Sequence, residues 1–483
     1  MGGPHGYNPK RREEFRNMAV KVAMEQALST YVNAQKYNNN LSKRAKAAWL
    51  DCQRLVNNTI SQLSSTFSGL NTNGSITDFD AQTWLSTALT NLQVCKTGSR
   101  ELKVSSTLFS DVASSNVTEL ISNSLSINGG FLDKQETPND DVVDGEFPSW
   151  VSKNKRKMLQ DAALASQAIV VVAKDGSGKF TSVQKGINYA VSKRVGSKRV
   201  IVYVKRGVYK ENVDITSLMG KITLVGDGLR YTIITGSRSV KGGYTTYSSA
   251  TFGVEAAGFI ARGITFRNTA GPKGAQAVAL RSSSDLSVFY ACGFEGYQDT
   301  VFAMAQRQFY KLCYIYGTID FIFGNAAVVF QNCNIYARKP LSGQSNVITA
   351  QGRGDPNQNT GISIHNSRVM AAPEFKTSIG SVGTYLGRPW QQYSRTVFLK
   401  TYFDTLVNPG GWLAWGNTNF AQSSCYYGEY KNFGPGSSTT KRVNWTGYHK
   451  ITDDNVAKRF TVANLIAGAA WLPATGVPFI SGL

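Results

Sequence analysis

Two aspartates, Asp299 and Asp320, stand 21 residues apart in this 483-residue sequence and are the first candidates for chemistry. Each follows a cysteine by seven residues, Cys292 in one case and Cys313 in the other. If the chain repeats with that period, the two carboxylates occupy equivalent positions of adjacent coils, about 5 Å apart. At an effective dielectric of about 20 they would repel by roughly 3 kcal/mol, so one stays protonated where the other is ionised. The pair predicts a general acid beside a nucleophile or base.

Two glutamines support a catalytic interpretation of the aspartates. Gln276 lies 22 residues before Gln298, so their amides could stack on adjacent coils and direct N–H donors at one oxyanion. The apolar residues 321–323 are unusual neighbours for a surface carboxylate. The competing interpretations are an aspartate ladder at exposed turns and a buried amide ladder of the kind found in solenoid proteins.

A repeat of about 20 residues would position these side chains. Residues 287–294 are echoed at 308–315 and 328–335, and their cysteines step by 21 and then 20; weaker relatives lie at 259–266 and 362–369. From residue 169 onward, short β-type segments alternate with glycine and asparagine. A period of this length with β residues predicts a right-handed parallel β-helix in which each coil adds one strand to each of several sheets.

The N-terminal part has a different texture. In residues 11–127, apolar residues recur at steps of three and four within 45–67, 81–95 and 108–125, which predicts an all-α four-helix bundle. Gly98 is a candidate end of one helix. Residues 128–159 carry an acidic stretch and then a basic cluster, and we interpret them as an exposed linker.

The charge is concentrated in the second part of the chain. Residues 1–159 hold 18 Lys+Arg and 15 Asp+Glu, whereas residues 160–483 hold 34 and 16. This excess favours a polyanionic partner: nucleic acid by composition alone, or an acidic membrane surface or polysaccharide.

The hydrophobic content of 42% indicates a globular chain. No apolar run is long enough for a transmembrane helix, and residues 1–16 contain no apolar signal-peptide core.

Other catalytic and ligand-binding patterns are absent from the sequence. Its three histidines, His5, His365 and His449, are scattered, which argues against His-pair zinc sites and weakens a Ser-His-Asp interpretation. Residues 175–179 resemble a phosphate loop, but Phe180 replaces the required Ser or Thr. We interpret that segment as a turn.

Five motifs, in order along the chain, resemble plant pectin methylesterases of the precursor type. The resemblance is strong over residues 169–483, and residues 11–127 resemble the inhibitor-like domain of those precursors. The motifs are Gly207-Val208-Tyr209-Lys210-Glu211, Gln276-Ala277-Val278-Ala279-Leu280, Gly296-Tyr297-Gln298-Asp299-Thr300, Asp320-Phe321-Ile322-Phe323-Gly324 and Leu386-Gly387-Arg388-Pro389-Trp390.

The resemblance implies a role for each matching residue. Asp320 matches the nucleophile that attacks the C6 methyl ester of a galacturonate unit, and Asp299 matches the acid that protonates departing methanol and then activates water. The other matches are Gln276 and Gln298 as oxyanion donors, Arg388 as the partner of the nucleophile, Trp390 as a platform for a sugar ring and Thr246 as a substrate contact. No metal or cofactor is implied.

The resemblance also implies partners and a location. The expected partners are methyl-esterified homogalacturonan, proteinaceous inhibitors of such esterases and a protease that acts at Arg156-Lys157-Met158-Leu159, within the linker 128–159. We expect a secreted, monomeric cell-wall protein, with a regulatory bundle at 11–127, a catalytic domain at 160–483, and neither a nucleic-acid partner nor a membrane span.

The six cysteines fit an oxidising compartment. Cys52 and Cys95 lie on the apolar faces of adjacent predicted helices and could pair. Stacked coils would bring Cys313 within disulfide distance of either Cys292 or Cys333; the resemblance favours Cys313–Cys333. Cys425 has no evident partner. The resemblance implies a further cysteine pair near the N-terminus, which this sequence lacks.

Two other functions compete with the esterase. Pectate lyases and polygalacturonases share the β-helix, but lyases need a calcium site of clustered acids, and polygalacturonases need more acidic residues in the cleft than one coil pair. A catalytically inactive, wall-binding β-helix is the non-enzymatic alternative. Methanol release from methylated pectin discriminates among all of these.

Overall fold

The computed structural model describes residues 11–34, 41–72, 75–104, 116–132, 142–143, 161–416 and 418–483. The chain divides into two compact units. The first comprises Met1–Gln135 together with the short segments Gly243–Ser248 and Asp355–Asn359, and the second comprises the rest. Within the described residues, no helix is both long and apolar enough to cross a bilayer. The proposed processing site at 156–159 and most of the predicted linker lie outside the described residues.

Four described helices form the first unit: α1 (Arg12–Ala34), α2 (Lys43–Asn71), α3 (Asp78–Glu101) and α4 (Val117–Gly129). Helix α1 packs against α2 and α4, and α3 packs against the same two, so the four helices enclose one core. A capping box starts α3, because Thr77 accepts from the backbone N–H of Asp80 while the Asp80 carboxylate accepts from that of Thr77. The predicted bundle is confirmed; the start of its third apolar run, 108–112, lies outside the described residues.

Two sequence predictions for α3 have opposite outcomes. The disulfide Cys52–Cys95 joins α2 to α3, as expected. The helix does not end at Gly98, however, but continues to Glu101. A Cβ at Gly98 would lie 3.1 Å from Cγ2 of Thr245, a residue of the same unit. Close packing against Thr245, rather than a helix end, is therefore what the glycine accommodates.

Three parallel sheets and one short antiparallel pair make up the second unit. Numbering strands along the chain, sheet 1 consists of β2 (Val170–Val172), β3 (Val200–Val204), β6 (Ile222–Gly226), β9 (Ile260–Arg262), β12 (Ser287–Tyr290), β15 (Arg307–Lys311), β18 (Ala327–Gln331), β21 (Gly361–His365), β24 (Arg395–Leu399), β26 (Tyr426–Tyr430) and β27 (Tyr448–Ile451). Sheet 2 consists of β4 (Gly207–Lys210), β7 (Thr232–Gly236), β10 (Thr265–Asn268), β13 (Gly293–Glu295), β16 (Tyr314–Gly317), β19 (Asn334–Ala337), β22 (Arg368–Ala371) and β25 (Tyr402–Phe403). Sheet 3 consists of β5 (Val213–Ile215), β8 (Phe252–Val254), β11 (Leu280–Ser282), β14 (Val301–Ala303), β17 (Ile322–Gly324), β20 (Asn346–Gln351) and β23 (Thr384–Gly387).

The remaining described elements of the unit are short. Strand β1 (Val142–Val143) pairs antiparallel with β28 (Phe479–Ile480). The helices are α5 (Val183–Ser192), α6 (Asp454–Lys458) and α7 (Val462–Leu465), with 3-10 turns at Ser217–Met219, Pro272–Gly274, Pro373–Ser381, Gly468–Ala470 and Pro473–Thr475.

Successive strands visit sheets 1, 2 and 3 in turn, so that each coil stacks on the one before it. The repeats found in the sequence pair in register: Phe289 aligns with Tyr310, which aligns with Phe330. Their rings stack inside the core with centroids 4.7 and 4.4 Å apart. The parallel β-helix and the period that predicted it are confirmed.

The cysteines of the repeat correct one prediction. Cys292, Cys313, Cys333 and Cys425 are buried thiols outside any disulfide, so the predicted Cys313–Cys333 disulfide is not formed. Each sulfur of that pair also contacts a backbone carbonyl: Cys313 donates to Phe289 O at 3.2 Å, and Cys333 lies 3.6 Å from Tyr310 O. Burial raises the pKa of Cys313 well above its ordinary value, which keeps it a neutral thiol.

Candidate active site

The two predicted catalytic aspartates occupy the same corner of adjacent coils. Asp299 lies between β13 and β14, and Asp320 lies between β16 and β17. Because Val301 pairs with Ile322, each aspartate stands two residues before the same rung of sheet 3. Both are buried, and both have a left-handed backbone, with φ of 63° and 50°. This conformation is uncommon outside glycine, so the surrounding coil must hold both residues in place.

Arg388 forms a two-pronged ion pair with Asp320. Its Nε donates to Oδ1 at 2.8 Å, and its Nη2 donates to Oδ2 at 2.5 Å. Gly387 at the end of β23 pairs with Thr349 of β20, which in turn pairs with Ile322 of β17, so the arginine is supplied from two coils away. Burial raises the pKa of Asp320 above its ordinary value, and the guanidinium opposes that rise. The carboxylate is thus desolvated and held by charge-assisted hydrogen bonds.

The glutamines lie on neighbouring coils near this corner. The backbone N–H of Ala277 donates to the carbonyl of Gln298 at 3.2 Å, which places Gln276 beside Gln298 across the coil boundary. Both glutamine residues are half-buried. Gln298 directly precedes Asp299, so its position relative to that carboxylate is set by the same turn.

An aromatic surface on sheet 3 lies beside the aspartates. The rings of Phe302 and Phe323 stack at 4.3 Å, and Trp390 packs edge-on against them with centroids 6.4 and 5.9 Å away. Trp390 is half-buried. A Cβ at Gly352 would lie 2.6 Å from the Trp390 ring, so the glycine makes room for it. These rings form an apolar platform within the same unit as both aspartates.

Thr246 differs from the other predicted site residues because it belongs to the first unit. There the carboxylate of Glu101, at the end of α3, accepts from its backbone N–H at 2.8 Å and from its Oγ1 at 2.7 Å. Burial raises the pKa of Glu101, and the two hydrogen bonds from Thr246 oppose this. Every other predicted catalytic or substrate-binding residue lies in the second unit.

The structure adds site residues that the sequence interpretation missed. The guanidinium of Arg388 lies over the Trp415 ring, 4.5 Å from its centroid. This cation–π contact restricts rotation of the arginine side chain. Phe302 was not singled out, although it stands one coil before Phe323 in the register. The coil period could have identified Phe302, whereas no periodic signal marks Trp415, which follows the last strand of sheet 3.

This arrangement supports acyl transfer. A buried carboxylate fixed by Arg388 is suited to attack a carbonyl carbon, and a second carboxyl group in the preceding coil is suited to exchange a proton with the leaving group. Amide N–H groups beside it can stabilise an oxyanion. Trp390 and the phenylalanine pair offer a surface on which a ring-shaped substrate can rest.

Both parts of the chain match described protein families. Residues 169–469 match the family described as Pectinesterase, and residues 4–127 match that described as Plant invertase/pectin methylesterase inhibitor. The chain is 54% identical over 482 residues to Probable pectinesterase/pectinesterase inhibitor 33 of Arabidopsis thaliana, covering 98% of this chain and 81% of the relative. It is 51% identical over 478 residues to Pectinesterase 2 of Citrus sinensis, covering 98% and 89%.

Solved structures show the same fold in the second part of the chain. A pectin methylesterase from carrot is 50% identical, with a TM-score of 0.64, and the match covers 65% of this chain and 98% of that one. A pectin methylesterase from Aspergillus niger is 28% identical, with a TM-score of 0.54, and covers 64% and 96%.

Proposed function

This chain belongs to the pectinesterase family, and from that premise we propose that it hydrolyses the C6 methyl esters of homogalacturonan through Asp320 and Asp299. The products are methanol and free carboxylates on the polymer. Membership of this family favours an esterase over a pectate lyase, a polygalacturonase or a non-catalytic wall-binding protein. The observation that carries the proposal is the ion pair between Asp320 and Arg388, next to a second buried carboxyl group at the same corner of the preceding coil.

In the first half-reaction, a carboxylate oxygen of Asp320 attacks the ester carbonyl carbon. The carbonyl oxygen becomes an oxyanion, which the side-chain amides of Gln276 and Gln298 stabilise. The C–O bond to the methoxy group then breaks as Asp299 transfers its proton to the departing oxygen. Methanol leaves, and the galacturonate acyl group is bound to Asp320 as an anhydride.

In the second half-reaction, the ionised Asp299 accepts a proton from a water molecule. The oxygen of that water attacks the acyl carbon, and the bond to Asp320 breaks. The sugar keeps a carboxyl group, Asp320 returns as a carboxylate, and Asp299 is protonated for the next turnover. Arg388 restrains Asp320 throughout and stabilises its charge each time it is regenerated.

Trp390 is proposed to hold the sugar ring adjacent to the ester under attack. Its half-exposed ring rests on Phe302 and Phe323, which limits its rotation before substrate arrives. A platform that is already ordered loses little side-chain entropy on binding.

The test of this function is methanol release from methylated pectin by the full-length chain. Asp320→Asn should abolish turnover, because an amide cannot act as the nucleophile, and Asp299→Asn should reduce it by several orders of magnitude. Asp404→Asn is a control at a half-buried aspartate whose carboxylate, among the described residues, accepts only a local N–H, that of Thr405. Near-native methanol release by either catalytic variant, with circular dichroism unchanged, would refute the assigned roles.

We further propose that the helical bundle regulates the esterase. Support comes from the inhibitor family that its sequence matches and from the contact in which Glu101 engages both donors of Thr246. Thr246 is the position proposed to contact substrate, so a hydrogen-bonded Glu101 would compete with the polysaccharide for the same N–H and O–H groups.

The remaining proposals concern organisation and location. We propose that residues 11–127 form the regulatory domain, that 128–159 form a linker cleaved at Arg156–Leu159, and that 160–483 form the catalytic domain. The protein would be a secreted monomer of the cell wall that also meets separate proteinaceous inhibitors. Mass spectrometry of the protein recovered from plant cell wall tests the cleavage, since a mature chain beginning near residue 160 is expected.

A further inference from the structure

A cavity of about 650 Å³ opens on the outer face of sheet 2, within the second unit. The turn 228–231 forms one wall, and Arg338 with Glu374 forms the opposite wall. None of the residues to which we assign a role in catalysis or substrate binding lines it. Its volume is in the range of ligand pockets, and aromatic and charged side chains converge on it.

A gap in one side-chain row of the sheet creates the cavity. Ile233, Thr265, Gly293 and Tyr314 are successive partners across four strands. A Cβ at Gly293 would lie only 2.3 Å from Oγ1 of Thr265, so no side chain fits there. The Thr265 hydroxyl donates to the carbonyl of Leu229 at 2.6 Å and thereby holds in place the turn 228–231, which forms one wall of the cavity. The gap is therefore built into the packing and remains beside the Tyr314 ring.

Tyrosine rings form one side of the cavity. Tyr316 lines it and stacks on Tyr336, with centroids 4.7 Å apart and planes within 8°. Tyr314 also lines it and is nearly parallel to Tyr336, at 11°. Burial raises the pKa of Tyr316 to about 12, so its hydroxyl is a neutral hydrogen-bond donor. Flat, ordered rings with hydroxyl edges suit the apolar face and the hydroxyl groups of a pyranose.

The charged groups are ordered before any ligand binds. Arg267 pairs with Glu295 at 2.5 Å. Arg338 pairs with Glu374 at 2.8 Å and donates to the carbonyl of Gly296 at 3.1 Å, so its guanidinium is fixed.

One cation of the cavity has no such partner in the described part of the chain. Arg230 is exposed at the rim, and no ion pair engages it among the residues that the structure describes. The lining therefore carries three guanidinium groups against two carboxylates, an excess that favours an anionic ligand.

We propose that this cavity is a second carbohydrate-binding site that takes a uronate segment of a polysaccharide, with Tyr314 and Tyr316 contacting sugar rings and Arg230 binding a carboxylate. That the uronate is de-esterified homogalacturonan rests on the proposed function, because the reaction would generate such carboxylates on the bound polymer. A site on a different sheet face from Trp390 would retain the product chain while the active site releases it. Retention would then depend on ionic strength.

The experiment is calorimetric titration of the full-length Trp390→Ala chain with fully de-esterified hexagalacturonate, so that the active-site platform is removed. The titration should still show one binding site for hexagalacturonate. Adding Arg230→Ala and Tyr314→Ala should weaken that binding about tenfold or more. Arg368→Ala is the matched control, because Arg368 lies on the same sheet, over the Tyr402 ring and outside the cavity. In the chain with Trp390 intact, Arg230→Ala should leave methanol release from short methylated oligomers unchanged.

Each outcome discriminates. Unchanged hexagalacturonate binding after Arg230→Ala and Tyr314→Ala, in a chain with native circular dichroism, overturns the site. Equal binding of neutral cellohexaose overturns its assignment to uronates. Failure of the full-length chain to release methanol, with hexagalacturonate still bound in the Trp390→Ala background, refutes the proposed function and leaves this site standing.

Discussion

Arg388 donates hydrogen bonds to both carboxylate oxygens of Asp320, although 68 residues separate the two in sequence. The distances of 2.8 and 2.5 Å match the fork geometry in which a guanidinium holds an ionised carboxylate. Burial acts in the opposite direction and raises the pKa of Asp320. The reactivity that we propose for this carboxylate therefore depends on the balance between desolvation and a single arginine.

Replacing Arg388 tests that balance. Arg388→Gln removes both interactions that lower the pKa of Asp320, while burial continues to raise it. Because the nucleophile must be ionised, the acidic limb of kcat/KM should move to higher pH, and the plateau should fall about 100-fold. Arg388→Lys keeps the charge and should shift the limb less. Methanol release measured across pH gives the profile, with Arg368→Gln as the control; an unmoved acidic limb would contradict the role of the ion pair.

Gly352→Ala tests the platform without removing it. The new Cβ would approach the Trp390 ring to 2.6 Å, so the ring must shift from its place against Phe302 and Phe323. The KM for methylated pectin should rise about tenfold with a smaller change in kcat, since only substrate positioning is affected. Gly380→Ala is the control, because no atom lies within 4 Å of the added carbon. Equal KM values in the two variants would show that Trp390 does not bind substrate.

Glu101→Ala tests regulation by the bundle. Removing the carboxylate releases the N–H and Oγ1 of Thr246, so methanol release by the uncleaved chain at low substrate should increase about tenfold. The inhibition should also weaken at acidic pH, because protonation removes an acceptor and burial already raises the pKa of Glu101. Glu119→Ala, at an exposed position of α4, should have no effect. If Glu101→Ala leaves the rate unchanged, Glu101 does not restrain the enzyme.

His365 is expected to make the β-helix less stable in acid. Its ring is buried on β21, with Lys311 and Lys400 nearby, and burial lowers its pKa to about 3. An unfolded histidine takes up a proton below its ordinary pKa of about 6.5, whereas the folded state stays neutral until about pH 3. Proton uptake therefore favours the unfolded chain, and stability falls as pH decreases through this window.

The matching measurement is urea unfolding at pH 7 and pH 5. The His365 contribution to the free energy of unfolding should drop by about 2 kcal/mol between those values. His365→Gln should remove that part of the decrease, whatever effect the substitution has on the free energy of unfolding at pH 7. His449→Gln is the comparison, since that ring is only partly buried and should change the pH dependence less. An identical pH dependence in the wild type and His365→Gln would contradict the assignment.

The sequence alone predicted the contacts between residues that lie one coil period apart. Residues one period apart stack in a parallel β-helix, so the spacing predicted that the segments 287–294, 308–315 and 328–335 would align and that Asp299 and Asp320 would face each other from adjacent coils. In the bundle, helical periodicity likewise placed Cys52 and Cys95 close enough to bond. Local spacing is sufficient in these cases because each contact joins residues one repeat apart or on neighbouring helices.

Orientation and distant contacts required the tertiary structure. Spacing brought Cys313 and Cys333 together but could not show that both remain thiols that contact backbone carbonyls. The coil period could not predict the position of Arg388, because the chain from Ile322 to its partner Thr349, and from Thr349 to its partner Gly387, is longer than one repeat. Only the family motif indicated it. The pairing of Glu101 with Thr246 has no sequence signal, since the two residues are 145 positions apart and outside any shared repeat. Such contacts are decided by how loops and helix ends pack, which is a property of the whole folded chain and not of any local pattern.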